Sequence, residues 1–314
     1  MFNVNRGDNV TRQRGVVLVV VLWLLVLLEV LVASQVVSAR VESELVRNRV
    51  DALSARAAAE AGLFMTIDLL ARQQGKKEEL LRTDGGVYSM DYNNINVMVS
   101  VLDEAGKIDL NAARPELLQN LFVSLTQNAE KGVQISDAII DWRDVDHVRR
   151  EAGAEDEEYQ AIDKPYGAKD EYFDNLEELL LVLGMDGDLY AKLTAIVTVN
   201  TGEKGINPAV AQRTVLLAIP GVKTEQVDVF LQARERYYTQ AQAMPLFPVR
   251  DNKYINQNRD QLYSIHVKAV TPGGTTERVA ALTRVSAQAA RHGGLPYEII
   301  SWNANDRSAM LQLQ

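Results

Sequence analysis

Arg12-Gln13-Arg14-Gly15 leads directly into Val16-Val17-Leu18-Val19-Val20-Val21-Leu22-Trp23-Leu24-Leu25-Val26-Leu27-Leu28, thirteen apolar residues without a break. Glu29 interrupts the run, and a second apolar stretch then reaches Val37 with only Ser34 and Gln35 intervening. A helix needs about 20 such residues to cross the hydrocarbon core of a bilayer. No water is available there, so the backbone must satisfy its own hydrogen bonds and the segment must be helical. The apolar pattern continues beyond the span. Val37, Val41, Leu45, Val50, Leu53, Ala57, Ala61, Phe64, Ile67 and Leu70 recur at helical spacing, the stripe of a half-buried helix. No Pro falls between Val16 and Gln74, and Gly62 is the only Gly. The expectation is one continuous helix of ~85 Å at ~1.5 Å per residue, apolar all round at first and amphipathic later.

The rest of the chain sets bounds. With 314 residues and 47% hydrophobic content a sizeable core is within reach. A net charge of −9 argues against a general nucleic-acid binder, and the absence of Cys removes thiol and disulfide chemistry. Arg6, Arg12 and Arg14 precede the apolar run, which is too long for the core of an ordinary secretory signal. The positive-inside rule then places the N-terminus in the cytoplasm and the bulk of the chain beyond the inner membrane. A plain signal anchor satisfies these facts equally well.

After the long helix, Gln74-Gly75-Lys76-Lys77 and Asp84-Gly85-Gly86 read as turns, and Val87–Tyr92 as a strand. Ile95, Val97, Val99 and Val101 alternate with their neighbours as a strand with one buried face. About 130 residues of helical character follow. Asn111 is read as the cap of a helix holding Leu117, Leu118, Leu121 and Phe122, and Ser136 as the cap of the next, through Ile139, Ile140 and Trp142. A loop is expected from Arg143 to about Phe173, then a helix capped by Asp174 or Asn175, then another opened by Asn207-Pro208. Leu179–Met185 and Leu216–Val222 form a weak repeat of helix, Gly turn and second helix capped by Asp188 or Thr224, like paired helix-hairpin-helix units. Strand alternation returns at Tyr263–Ala269, Val279–Val285 and Tyr297–Trp302. An antiparallel sheet is therefore expected to rejoin across a helical insertion, with the second half of the long helix covering it.

Two constellations bear on function. From Asp137 to Asp188 there are 17 Asp and Glu against 5 Lys and Arg, a net of −12. Such crowding opposes compaction unless it is neutralised, and hard oxygen donors in a Gly-containing loop suit Ca²⁺. Asp144, Asp146, Glu155, Asp156 and Glu157 are the candidate ligands, with a solvated acidic face as the bland alternative. Pro220-Gly221-Val222-Lys223 offers one Gly and one Lys beside that acidic segment, so the hairpins are read as packing scaffold and no nucleic-acid partner is expected. His147, His266 and His292 are widely separated, and no nucleophile elbow or P-loop is present, so no enzyme is expected. His147 reads as a salt-linked surface residue.

The short basic segment ending in Gly15 resembles the leader of a type IV prepilin. That resemblance implies cleavage between Gly15 and Val16 and methylation of Val16. The family usually carries Glu at the fifth mature position, where this chain has Val20; an acid in lipid is costly and usually functional. Glu29, deeper in the span, is a candidate polar contact in assembly.

Further motifs narrow the resemblance: Asp103-Glu104-Ala105-Gly106-Lys107-Ile108-Asp109-Leu110-Asn111, Asp141-Trp142-Arg143-Asp144-Val145-Asp146, Gly153-Ala154-Glu155-Asp156 with Tyr159, Leu176-Glu177-Glu178-Leu179-Leu180 and Ile300-Ser301-Trp302. Together they resemble the K-type minor pseudopilins (GspK family) of type II secretion systems. The resemblance implies an α+β fold, a pilin-like long N-terminal helix packed on an antiparallel sheet with a large all-helical insertion. Its expected parts are a leader (1–15), a transmembrane half-helix (16–38), an amphipathic half with the first strands (39–110), the insertion (111–245) and the last strands (246–314). It further implies a place at the tip of the pseudopilus, bound calcium in the acidic loop, and export of folded periplasmic proteins as the task. The implied partners are the I-type and J-type minor pseudopilins, the major pseudopilin, the prepilin peptidase and the inner-membrane assembly platform. The alternative is a single-pass inner-membrane protein whose periplasmic binding domain never enters a filament.

Overall fold

The structure is a computed structural model that describes residues 11–74, 81–240, 242–249, 252–257, 261–286, 289 and 293–304. Residues 1–10 of the expected leader, the Gly75-Lys76-Lys77 turn and His292 lie outside the described residues. By its contacts the chain falls into two units, residues 1–54 and 55–314.

The first unit is helical throughout its described part, within α1 (Thr11–Gln73). Every side chain from Val16 to Val50 is exposed. The segment beginning at Val16 is, among the described residues, the one helix long and apolar enough to cross a membrane, with a mean hydropathy of 3.2 in its most apolar window. Val20 and Glu29 both lie on this exposed surface.

In the second unit the end of α1 packs on a sheet. β1 (Asp84–Tyr92), β2 (Ile95–Asp103), β5 (Leu262–Val270), β6 (Thr276–Val285) and β7 (Tyr297–Ala304) form it in the order β1-β2-β5-β6-β7, antiparallel at every step. β2 meets β5 with Val97 opposite Ala269, Val99 opposite Val267 and Val101 opposite Ile265. Strands 160 residues apart in sequence thus share one register, because their period-two apolar faces must lie on the same side. Asp84-Gly85-Gly86, expected as a turn, instead begins β1, with a register shift before Val87 and Gly85 at φ +93°.

The helix stripe differs from the expectation. Leu53, Ala57 and Phe64 are exposed, and the buried face is Ala55, Ala58, Ala59, Gly62, Leu63, Thr66, Ile67 and Leu70. This face is made mostly of small residues, which let the helix axis come close to the strands. A Cβ on Gly62 would stand 2.7 Å from Val97 Cγ1 and 3.3 Å from Val267 Cγ1. Leu63, Ile67 and Leu70 share a hydrophobic cluster with Val97, Val99, Val101, Ile265, Val267 and Val279.

Between β2 and β5 the chain builds a second core. It includes a short parallel pair, β3 (Ile108–Asp109) with β4 (Val197–Thr198), and helices α2 (Pro115–Thr126), α3 (Ala129–Arg143), α4 (Asp156–Ala161), α5 (Gly187–Leu193), α6 (Arg213–Leu217) and α7 (Thr224–Gln240), with a 3₁₀ turn over Leu176–Leu181. Leu117, Leu121, Phe122, Ile135, Ile139, Trp142, Tyr159, Leu193, Leu216 and Phe230 are buried together there. Both hairpin glycines take left-handed backbones, Gly184 at φ +84° and Gly221 at φ +78°. That conformation costs Gly little, so it is the natural pivot between two helices.

Several caps fall elsewhere than expected. α2 begins at Pro115 after Arg114, because Asn111 is occupied: it donates to the Phe173 and Val199 carbonyls and accepts from the Phe173 amide. α3 is capped by Asn128, whose side chain accepts from the Lys131 amide at 3.0 Å, which leaves Ser136 buried in mid-helix. Asn175 does cap the 3₁₀ turn, but α5 is capped by Asp186 rather than Asp188, and Asn207-Pro208 opens only a turn. Asn207 is buried, and its carbonyl accepts from the Val210 and Ala211 amides.

Candidate cation site and polar hubs of the insertion

The quoted motifs supply three joints. Asp103 caps a 3₁₀ turn over Glu104–Gly106. Glu104 and Lys107 then form a buried ion pair at 2.5 Å, and Ser264 of β5 donates to Glu104 Oε1 at 2.6 Å while accepting from Lys107 Nζ at 3.2 Å. A buried pair of this kind requires such extra hydrogen bonds to offset its desolvation. It fixes the insertion to the second face of the sheet. Gly106 passes so close to Val210 that a Cβ would stand 2.8 Å from its carbonyl.

Asp109 is the second joint. It is 1% exposed. Its Oδ1 accepts from the amides of Asn111 and Ala112, and its Oδ2 from the amides of Thr201 and Gly202 and the hydroxyl of Thr201. One carboxylate therefore ties the loops on either side of the parallel pair. Arg143, at the end of α3, donates to the carbonyls of Leu110 and Ala113.

The third joint leads into the acidic loop. Asp137, Asp141 and Asp144 follow one another on α3 and its end, while Trp142 points into an aromatic cluster with Tyr159 (5.9 Å), Tyr166 (6.3 Å) and Phe173 (6.2 Å). Asp137 pairs with Arg150 at 3.0 Å. Asp141 is fully buried and accepts from the Arg150 amide. Its carboxylate lies against Gly153, where a Cβ would stand 1.9 Å from Oδ2. Gly is therefore required at 153 by the space the acid occupies. The stretch expected as loop from Arg143 to Phe173 contains α4, which begins just after Glu155.

Here the acids crowd. Buried oxygens of Asp144 (Oδ1), Glu155 (Oε1) and Asp170 (Oδ1) have no hydrogen-bond partner among the described residues. Glu155 is 7% exposed. Burial first, then the nearby charges of Asp141, Asp170 and Asp144, pushes Glu155 up to about 7. Burial also pushes Asp141 up to about 6, with Asp144 adding to it, and raises Asp144, with Asp146 adding there. One ligand atom each from His147, Glu155 and Asp170 lies within 4.8 Å of the others, and His147 Nδ1 is 3.1 Å from Asp170 Oδ2. Asp170 holds a left-handed backbone at φ +56°, which Asp tolerates better than most residues.

Of the five acids read from the sequence, Asp144 and Glu155 belong to this cluster. Asp146 borders it, and its Oδ1 accepts from the Val148 amide. Asp156 and Glu157 are exposed in the first turn of α4, and Asp156 turns toward Gly167. The sequence does not group Asp141, Asp170 and His147. Asp170 follows Lys169 with no motif around it, and His147 stands 23 residues from it, so only the fold brings them together. Buried oxygens with unspent lone pairs and raised proton affinities fit a hard cation, which would satisfy them and hold them ionised.

Known proteins place this architecture. Residues 93–202 match the family model described as type II secretion system (T2SS), protein K. The chain is 27% identical over 207 residues to type II secretion system protein K of Pectobacterium carotovorum subsp. carotovorum, covering 60% of this chain and 63% of that one. It is 27% identical over 234 residues to the protein of the same description from Klebsiella pneumoniae, covering 66% and 70%. The match thus spans just under two thirds of the Pectobacterium protein's length. In fold the chain is similar to one in the crystal structure of the GspK-GspI-GspJ complex of the enterotoxigenic Escherichia coli type 2 secretion system, with a TM-score of 0.58 at 18% identity, over 83% of this chain and 99% of that one. With β2 and the first part of its insertion matched by the family model, its sequence aligned with two proteins K and its fold similar to a chain of that complex, the chain is similar to type II secretion system protein K.

Proposed function

We propose that this chain is a minor pseudopilin of the type II secretion apparatus, anchored in the inner membrane by α1 and acting at the tip of the pseudopilus to start its assembly. The observation that carries the reading is the order of parts in one chain. An exposed apolar helix runs on into the helix that covers an antiparallel sheet, and the matched protein K segment takes in that sheet's second strand and the first part of the insertion that follows it. Such a chain is a building element whose surfaces do the work, and no catalytic role is assigned to it.

Partners of the I and J types suit this reading, since the similar fold comes from a complex of GspK with GspI and GspJ. Val20 leaves the span without an acid near its start, which suits a subunit that need not pair with a neighbour above it. The acidic loop takes a divalent cation in this proposal, calcium by the oxygen donors present. Asp144, Glu155 and Asp170 hold it, and it serves to fix the loop between α3 and α4.

Mass spectrometry of the protein from membranes tests the anchor and filament reading. A mature N-terminus at Val16 carrying one methyl group is expected; an uncleaved chain would leave only a membrane-anchored protein outside any filament. Labelling of the assembled pseudopilus tests the position. The subunit is expected at one end, and its incorporation along the whole length with normal secretion would remove the tip assignment.

A further inference from the structure

The two loops that Asp109 ties together are also walls of a pocket of 750 Å³. Three cations line it, Arg114 and Arg143 on the side of the first loop and Lys204 on the side of the second. The exposed ring of Tyr172 stands beside them. Among the described residues no Asp or Glu lines the pocket. Asp109 itself is buried, with both carboxylate oxygens spent on loop donors. In a chain of net charge −9 this is a local reversal of sign. The cations are also seated without acids. Arg143 donates to the Leu110 and Ala113 carbonyls, which leaves donors of its fork unspent. Arg114 Nε donates to the Lys253 carbonyl at 3.3 Å. Among the described residues none of the three cations forms an ion pair. A half-buried guanidinium whose hydrogen-bond partners are neutral carbonyls lacks the opposite charge that would offset its desolvation.

We propose that this pocket is a docking site for an acidic peptide segment of a partner chain, with Arg114, Arg143 and Lys204 pairing its carboxylates. A guanidinium fork takes a carboxylate through two parallel hydrogen bonds, and groups of Arg recognise acidic motifs in this way. Arg143 is already fixed by two carbonyls, so little of its freedom is lost on binding. The occupant is a peptide rather than a free anion for two reasons. The cations come from three separate stretches of chain, and more than one carboxylate is needed to serve them. Between them the wall is apolar, from Ala113, Pro115 and Val199, and it packs the stems and backbone that a bare anion lacks. The volume lies in the range of ordinary ligand sites, about 300–1,000 Å³. The site concerns the insertion alone, so it holds whether or not the chain enters a filament.

The test titrates the untagged full chain, in an uncharged detergent, into a short fluorescent oligoglutamate peptide and reads its anisotropy. Saturable binding is expected, weakening as salt rises past ~0.1 M, where the Debye length falls below about 10 Å. Lys204 is exposed, so Lys204→Glu should fold, which circular dichroism verifies. It should weaken the peptide by about tenfold or more, because it turns an attraction into a repulsion. Arg114→Ala should weaken it by about fivefold or more through loss of a charge-assisted hydrogen bond. Lys223→Ala removes another exposed lysine, at the second hairpin, and should leave binding unchanged. Absence of saturable binding overturns the proposal, and so does an equal effect of Lys204→Glu and Lys223→Ala. Inorganic phosphate that binds as tightly as the peptide would make this a small-anion pocket and overturn the peptide assignment. Each of these failures leaves the membrane anchor and the tip position where the mass spectrometry and labelling put them.

Discussion

The sheet and the insertion are held by different physics. On the sheet, the contacts with α1 are apolar and close, with Ala58, Ala59, Leu63 and Ile67 fully or almost fully buried over Val97, Val99 and Val267. The insertion buries an apolar core as well, but its loops are located by polar hubs: Asp109 with five donors, Asn111 with three partners, Glu104 with Lys107 and Ser264. A sheet has a lattice of backbone hydrogen bonds that fixes its geometry. Short helices joined by long loops have no such lattice, and buried side chains must pair the loop amides instead. The apolar half tolerates change in proportion to volume, while the polar half fails wherever a hub is removed.

The contrast is sharpest at Asp109. Replacing it with Ala leaves five donors around β3 and the 201–202 turn, most of them half-buried, without their acceptor. Charge-assisted bonds of this kind are the strong ones, and losing the acceptor costs the desolvation of each donor that water cannot reach. A loss of about 3–5 kcal/mol is expected, read from the urea midpoint of the full chain in detergent. Leu63→Ala on the sheet side should cost about 2–5 kcal/mol from transfer and cavity terms. The distinction lies in rescue: isosteric Asp109→Asn keeps the volume, yet it offers an amide N–H₂ to neighbours that are already donors. Full stability in Asp109→Asn would show that the hub is packing rather than hydrogen bonding.

The next effect concerns the acid cluster in the absence of cation. Glu155 goes from its ordinary 4.5 to about 7 in the fold, and Asp141 from 3.8 to about 6, both mainly by burial. These two acids therefore hold more protons in the folded chain than in the unfolded one between about pH 4 and 7. Their contribution to stability falls as pH rises through that window and is flat above it, opposite in sign to that of an acid held ionised by a partner. Glu155 alone contributes about 3 kcal/mol to that fall. A saturating divalent cation should remove most of it, because the ion favours the ionised carboxylates. Chemical denaturation at pH 5 and pH 7.5, with metal and with chelator, measures the effect; a stability that rises with pH without metal would contradict the cluster's electrostatics.

The two regions were also unequally legible. The strands could be read because Tyr263, Ile265, Val267 and Ala269 alternate, and alternation needs no distant information. Even the rejoining of β2 and β5 follows from two apolar faces that require one cover. The helix stripe was misread because large residues weigh most in an apolar pattern, whereas the contact face is Ala55, Ala58, Ala59 and Gly62. In the insertion, a residue suited to capping is a poor guide to where a helix starts. Asn111 and Asn207 have the right chemistry for helix starts but spend it on distant loops or a tight turn. The acid cluster is half legible in the sequence. Charge density marked the loop, and Glu155 was in view, but Asp170 and His147 come from separate turns that only tertiary structure joins.

The mildest test probes the dry side of the contrast, at Gly62. Gly in mid-helix normally costs about 1 kcal/mol relative to Ala, so Gly62→Ala would stabilise a helix that had room. Here the new methyl would lie 2.7 Å from Val97 Cγ1 and 3.3 Å from Val267 Cγ1. Neither contact can relax cheaply. Both are β-branched residues with restricted rotamers, and both are held in the register of the β2–β5 pair. The helix must then lift from the strands, loosening Leu63 and Ile67 with it. Overpacking of this sort costs about 1–3 kcal/mol, which outweighs the gain in propensity and leaves a net loss of about 1 kcal/mol. Adding Val97→Ala in the same chain removes the obstructing methyls, so the double variant should lose less than the two single losses combined. If the losses simply add, the helix stands farther from the sheet than the small-residue face requires, and the sheet half would be held by volume without close fit.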